Sequence, residues 1–193
     1  MKHIVGLCCG HSRLSGNGYA EGGAISIGGV SEWAYNSDLA HRIHMYLSAA
    51  RVESLIYNRY LGSGYSSAMS WLANKLSDDE VTLALELHFN SAGPSATGHE
   101  WLHYKTSAKG KALANVLDQE FDTTFPQLKS RGVHPPESGR GDIFLQRTHC
   151  PAVICEPFFG SNRNDWKVAV DDKELIARTI ANSILVYMGI PKI

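Results

Sequence analysis

Short apolar runs recur along this chain and alternate with segments of helical period. IVGLCC at 4–9 and PAVICE at 151–156 are nearly continuous apolar runs, each too short for a buried helix. They read as buried strands. In VTLALEL, Val81, Leu83, Leu85 and Leu87 alternate with other residues, which marks a third strand ending near His88. Residues 52–57 and the HEWLHY segment at 99–104 read as further strands, and IFLQ at 143–146 as a short one. Between them lie amphipathic stretches. Leu39, Ile43, Tyr46, Leu47 and Ala50 share one helical face, as do Met69, Leu72, Ala73 and Leu76. The same holds for Leu113, Val116, Leu117 and Phe121, and for Ile176, Ile180, Ile184 and Tyr187 near 173–188. Strands alternating with helices imply an α/β sheet covered by helices on both faces, a three-layer α/β/α arrangement.

The chain has 193 residues and shows no repeat and no linker, so a single domain over 1–193 is expected. An apolar fraction of 44% supports a sizeable core, and a charged fraction of 19% is too low for a disordered chain. The formal net charge is -1, which lacks the basic surplus of a nucleic-acid binder. No apolar run approaches the roughly 18 residues of a membrane span. The start, MKHIVGLCCGHS, shows neither the longer apolar stretch nor the cleavage site of a signal peptide. The expectation is therefore a soluble chain made in the cytoplasm, with no membrane insertion, acting as a monomer. Cys8, Cys9, Cys150 and Cys155 lie in or beside apolar runs and read as free, buried thiols. Paired C-x-x-C knuckles are absent, which argues against a thiolate zinc site.

Two loops interrupt the pattern. Residues 10–29 are rich in Gly and Ser, and residues 126–142 in Pro and Gly. Long loops in compact domains tend to carry function. His11 stands at the start of the first loop, directly after a strand. Glu32 follows Ser31, a plausible helix N-cap. His88 ends the strand at 81–88. Sites in open α/β sheets gather beyond the carboxyl ends of strands, where His11 and His88 can meet. Two imidazoles and one carboxylate leave a fourth zinc position open, as catalytic sites require. Glu156 ends the PAVIC run, with Pro157 holding it out of the helical region. A carboxylate there can act as the base that takes a proton from water at such a metal.

These motifs, in this order, resemble the type-3 family of zinc-dependent N-acetylmuramoyl-L-alanine amidases. Gly10-His11 matches the family's Gly-His after strand one. Glu32, Asn36 and Leu39 match its helix-opening motif, and LHFNS at 87–91 its His-x-Asn. GHEWL at 98–102 matches a Gly-x-Glu strand, Arg131-Gly132 an Arg-Gly pair, and PAVICEPFFGSN at 151–162 the closing signature. CCGHSR departs from the family's usual Asp-Pro-Gly-His-Gly-Gly, with Ser12 in place of the Gly after the His. The resemblance covers nearly the whole chain. It implies a twisted, mostly parallel sheet. It also implies Zn2+ held by His11, Glu32 and His88, Glu156 as general base, and cleavage of the bond joining N-acetylmuramic acid to L-alanine in peptidoglycan. Without a signal peptide or wall-binding module, the chain is similar to a phage endolysin, released to the wall once the inner membrane is breached. Asn90, Arg131 and Arg140 are candidate contacts for the carboxylates of the peptide.

Two rival functions fit parts of the sequence. His99-Glu100-Trp101-Leu102-His103 matches H-E-x-x-H, the zinc-protease motif, which needs a helix to bring its histidines together. On a strand they would stand about 13 Å apart at ~3.3 Å per residue. A non-catalytic wall-binding domain is the other rival, and it would have no use for Glu156.

Overall fold

The computed structural model describes residues 3–14, 22–137 and 141–193. Twelve elements follow one another among them: β1 (Ile4–Cys9), α1 (Glu32–Ala49), β2 (Glu53–Tyr57), α2 (Tyr65–Asp78), β3 (Leu83–Leu87), β4 (His99–His103), α3 (Ala108–Thr124), β5 (Ser130–His134), α4 (Asp142–Arg147), β6 (Ala152–Glu156), α5 (Arg163–Asp171) and α6 (Lys173–Tyr187). The strands form one sheet in the order β2-β1-β3-β6-β4-β5. Neighbours from β2 to β6 run parallel, β6 and β4 antiparallel, and β4 and β5 parallel. The sheet is therefore mixed and mostly parallel, in keeping with the expected three-layer α/β class.

Strand alternation divides the core in two. Val5, Leu7, Cys9, Leu83, Leu85 and Leu87 face one side, where α1, α3 and α6 supply Leu39, Ile43, Leu113, Leu117, Ile180 and Ile184. Cys8, Ala84, Leu102 and Ile154 face the other, where α2 and α4 supply Met69, Leu72, Leu76 and Phe144. Each large side chain fully buried in this way contributes about 1.5–3 kcal/mol. No helix among the described residues is long and apolar enough to cross a membrane.

The route of the chain creates the crevice that matters. From β1 it goes to β2 on one side through α1, then returns through α2 on the opposite face to β3 on the other side of β1. That reversal is a topological switch point, where the chain leaving the carboxyl ends of the paired strands β1 and β3 diverges to opposite sides.

Two local expectations need correcting, and one helix was not anticipated. IFLQ is not a strand but lies in α4. Asp142 sits favourably in the helix's first turn, and the short apolar run could not distinguish strand from buried helix. The Pro/Gly-rich stretch at 126–142 contains β5, an edge strand whose partial burial left no apolar alternation. Gly132, at φ 101°, supports the register shift where β5 meets His99 and Glu100. The helix α5, capped by Asn162 on the backbone N–H groups of Asn164 and Asp165, was absent from the sequence reading. Its mostly polar sequence hides it.

Candidate functional site

His11 leaves β1 in a left-handed conformation, φ 57°, which a non-glycine residue adopts only when its surroundings hold it there. They do. Gly10 N–H donates to Leu87 O at 2.8 Å and Tyr60 N–H to Ser12 O at 2.8 Å. The Ser12 hydroxyl donates to Cys9 O at 2.6 Å. Ser12, the departure from the family pattern, thus serves as a buried clasp on this turn.

Glu32 is the first residue of α1, whose N-cap is Ser31, the hydroxyl accepting from Ala34 N–H. The carboxylate is only 3% exposed. It accepts from Ala24 N–H and Phe89 N–H, each at 3.2 Å, and its Oε1 lies 2.8 Å from His88 Nδ1. Its Oε2 lies 3.3 Å from His11 Nε2. The two imidazole rings meet edge to face with centroids 5.1 Å apart. Glycines make this crowding possible. A Cβ on Gly10 would overlap the His88 ring, and one on Gly23 would press on the His11 ring and on Glu32.

Ligand atoms of His11, Glu32 and His88 all lie within 4.8 Å of one another. Three donors at zinc–ligand distances of about 2.0–2.2 Å would stand roughly 3–3.5 Å apart, so this set fits one ion with little movement. Two imidazoles and a carboxylate also suit zinc chemically. Burial alone would raise the Glu32 carboxyl, but the His88 hydrogen bond and the charges of both histidines hold it below its ordinary value. Burial pushes His88 the other way, yet Glu32 and Glu86 keep its proton affinity well above the usual histidine range. His11 is pushed down by burial and by His88, with Glu32 opposing.

Glu156 ends β6 and is 8% exposed. It lines a cavity of about 360 Å³ together with His11, His88 and Glu86, over apolar walls that include Met69, Leu102 and Ile154. The cavity opens on the α2 side of the sheet. The sequence reading missed Glu86, 3% exposed on β3. Its signal was a charge set among the apolar residues of a buried strand.

The remaining candidates separate. Asn90 is structural in large part: its N–H donates to Phe158 O, its carbonyl accepts from Gly160 N–H, and its amide donates to Glu100 Oε1. Arg131 stacks over the Phe159 ring at 5.0 Å, with Nε 3.7 Å from Glu100 Oε2. His134 Nε2 also approaches Glu100, at 3.3 Å. Arg140 lies outside the described residues. The H-E-x-x-H residues sit on β4, a strand, and form no metal-sized cluster among the described residues. All four cysteines are free thiols. Burial raises each, Cys9 and Cys150 to about 12, so none is a ready thiolate ligand.

Fold and site together define a class, a doubly wound α/β domain with a His-Glu-His donor set at its switch point and a buried carboxylate on the adjoining cavity wall. The chain belongs to the N-acetylmuramoyl-L-alanine amidase family, whose model matches residues 5–186. It is thus an amidase that acts on peptidoglycan. No curated protein matches the chain by sequence. Its fold is similar to the catalytic domain of CwlV, an N-acetylmuramoyl-L-alanine amidase from Bacillus (Paenibacillus) polymyxa var. colistinus, with a TM-score of 0.79 and 21% identity over 99% of this chain and 100% of that one. AmiC2 of Nostoc punctiforme gives 0.80 and 21% over 98% of each. The catalytic domain of the CD27L endolysin, which targets Clostridia difficile, gives 0.80 and 23% over 95% of this chain and 97% of that one.

Proposed function

We propose that this chain hydrolyses the amide between N-acetylmuramic acid and the L-alanine of the peptidoglycan stem peptide, with His11, Glu32 and His88 holding zinc and Glu156 as general base. The observation that carries this reading is the convergence of the three ligand residues beside a cavity that Glu156 lines. When bound, zinc supplies a Lewis acid that acidifies water and polarises a carbonyl. The protein supplies the rest. Glu32, fixed by two backbone N–H groups, keeps both imidazoles aimed at one point. Glu156 takes a proton from the attacking water as the new carbon–oxygen bond forms. It then hands that proton to the departing amino nitrogen of L-alanine as the carbon–nitrogen bond breaks. The apolar walls at Met69, Leu102 and Ile154 limit competing solvent and strengthen the charge interactions inside. The place of action is the cell wall.

The test is a digest of purified peptidoglycan with and without a chelator. New L-alanine amino termini that depend on metal, with no new reducing sugar ends, are expected. Reducing ends without amino termini, or full activity after the metal is stripped, would overturn the proposal.

A further inference from the structure

We infer that Glu86 is a positioning residue of this centre, holding the Nε2–H of His88 so that Nδ1 is presented to the metal. The inference rests on the reading of His88 as a metal ligand. Glu86 lies two residues before His88 at the end of β3, so strand alternation sends both side chains to the α2 face. Much of that face is apolar, with Cys8, Ala84, Met69 and Ile154 in its core. A carboxylate buried in such a place needs a charged or N–H partner. Its Oε2 lies 3.5 Å from His88 Nε2.

The geometry already divides the two ring nitrogens. Nδ1 faces the donor set, 2.8 Å from Glu32 Oε1, and Nε2 faces Glu86. A neutral imidazole carries one proton, and the partner of one nitrogen decides whether the other keeps its lone pair. Both ring nitrogens of His88 face a carboxylate; if a metal takes the place of the proton that Nδ1 shares with Glu32, Glu86 would keep the remaining proton on Nε2, so that Nδ1 ligates. The Glu86 carboxylate also fixes the ring's rotation and raises its basicity, and loss of such a partner typically lowers metal affinity about 10–100-fold. Gly10 completes the arrangement, since its missing Cβ lets the ring lie against the backbone of β1.

The test is zinc affinity of metal-free wild type, Glu86→Gln and Glu86→Ala, measured by competition with a chromophoric chelator. The order wild type, Glu86→Gln, Glu86→Ala is expected, with Glu86→Ala about 10–100-fold weaker. Glu86→Gln should be intermediate, because its amide oxygen still accepts from Nε2–H. Equal affinities within twofold would overturn the inference. Should Glu86→Ala fail to fold, the His88 tautomer in zinc-loaded wild type decides by 15N NMR. A protonated Nε2 is expected, and a protonated Nδ1 would overturn the inference without any variant. Wild type that binds no zinc in the same titration would instead overturn the metal reading beneath it.

Discussion

The chain carries two sets of two histidines and a glutamate, and their fates differ. His99, Glu100 and His103 are packed within five positions and spell a known metal motif. His11, Glu32 and His88 are scattered through the first half of the chain and spell nothing locally. Only the scattered set converges, because the switch point brings the ends of β1 and β3 together with the start of α1. The contiguous set lies along β4, where the period of two sends His99 and His103 to one face but several residues' rise apart. Each member is used up separately. His99 packs between Trp101 and Phe121, Glu100 gathers Asn90, Arg131 and His134, and His103 meets Tyr104 O at 2.9 Å. A metal site is thus a property of topology more than of spacing.

The sharpest way to break this contrast is to remove one histidine from each set. His88→Ala is expected to abolish stoichiometric zinc binding and bring peptidoglycan cleavage to background. His99→Ala is expected to leave both intact in the folded fraction. Metal analysis of the two purified variants decides, and loss of zinc from His99→Ala alone would hand the site to the contiguous set. The next largest effect is expected at the proposed base. Glu156→Gln is expected to keep its zinc and lose about 10²–10⁴-fold in kcat, the usual scale of general acid–base catalysis. Retention of full kcat would show that the proton goes elsewhere.

The contrast also explains what was legible beforehand. His11, His88 and Glu156 could be placed because each ends an apolar run, and run ends survive small errors of boundary. Glu32 followed from a capping serine and from family register. Glu86 was overlooked because the alternation of Val81, Leu83, Leu85 and Leu87 assigns its face to solvent, whereas α2 covers that face. Likewise β5 was hidden by Gly132 and by its edge position, and α5 by charged residues that need only bury Ala169 and Asp165. Asp165 gives that turn its fixed shape, accepting from Thr97, Gly98 and Phe159, contacts between residues remote in sequence that no local pattern announces. Local periodicity therefore exposed the strands of the parallel core and failed where a tertiary cover or a cross-chain hydrogen bond determines the outcome.

Protonation gives a graded test of the converging set. In the metal-free protein, His88 has a raised proton affinity. Its contribution is complete below the ordinary histidine value of 6.5 and is lost as pH rises through the raised folded value. The depressed His11 acts in the opposite sense, as does Glu32. Their contributions are present above 6.5 and 4.5 and are lost as pH falls through the lowered folded values. In the metal-free form these groups therefore lower stability as pH rises above 6.5 through His88 and as it falls below 6.5 through His11. If His88 ligates zinc as proposed, binding displaces its proton, so zinc affinity should rise with pH, by up to about tenfold per unit for one proton released. A flat affinity between pH 6 and 8 would mean that His88 is not the group displaced.

Within the contiguous set the effects should be on stability alone. His99 is fully buried and accepts from Trp101 Nε1–H at 3.0 Å. His99→Ala removes that packing and strands the indole N–H, a loss of about 2–3 kcal/mol. Urea denaturation measures it, and a change under 0.5 kcal/mol would contradict the structural role.

Arg131 should give the smallest effect, and it bears on what Glu100 does. The Arg131 side chain is 46% exposed, so its 3.7 Å approach to Glu100 is worth at most about 1 kcal/mol. Its stacking on Phe159 holds the guanidinium in place, and if Arg131 contacts substrate, its outer N–H groups are the ones suited to a carboxylate of the stem peptide. Arg131→Ala is therefore expected to raise KM a few-fold with kcat and melting temperature nearly unchanged. Arg131→Lys should recover only part of that, since an ammonium cannot make the bidentate contact. If KM is unaffected and stability falls instead, Glu100 and Arg131 form a purely structural wall, and the substrate passes by without touching either.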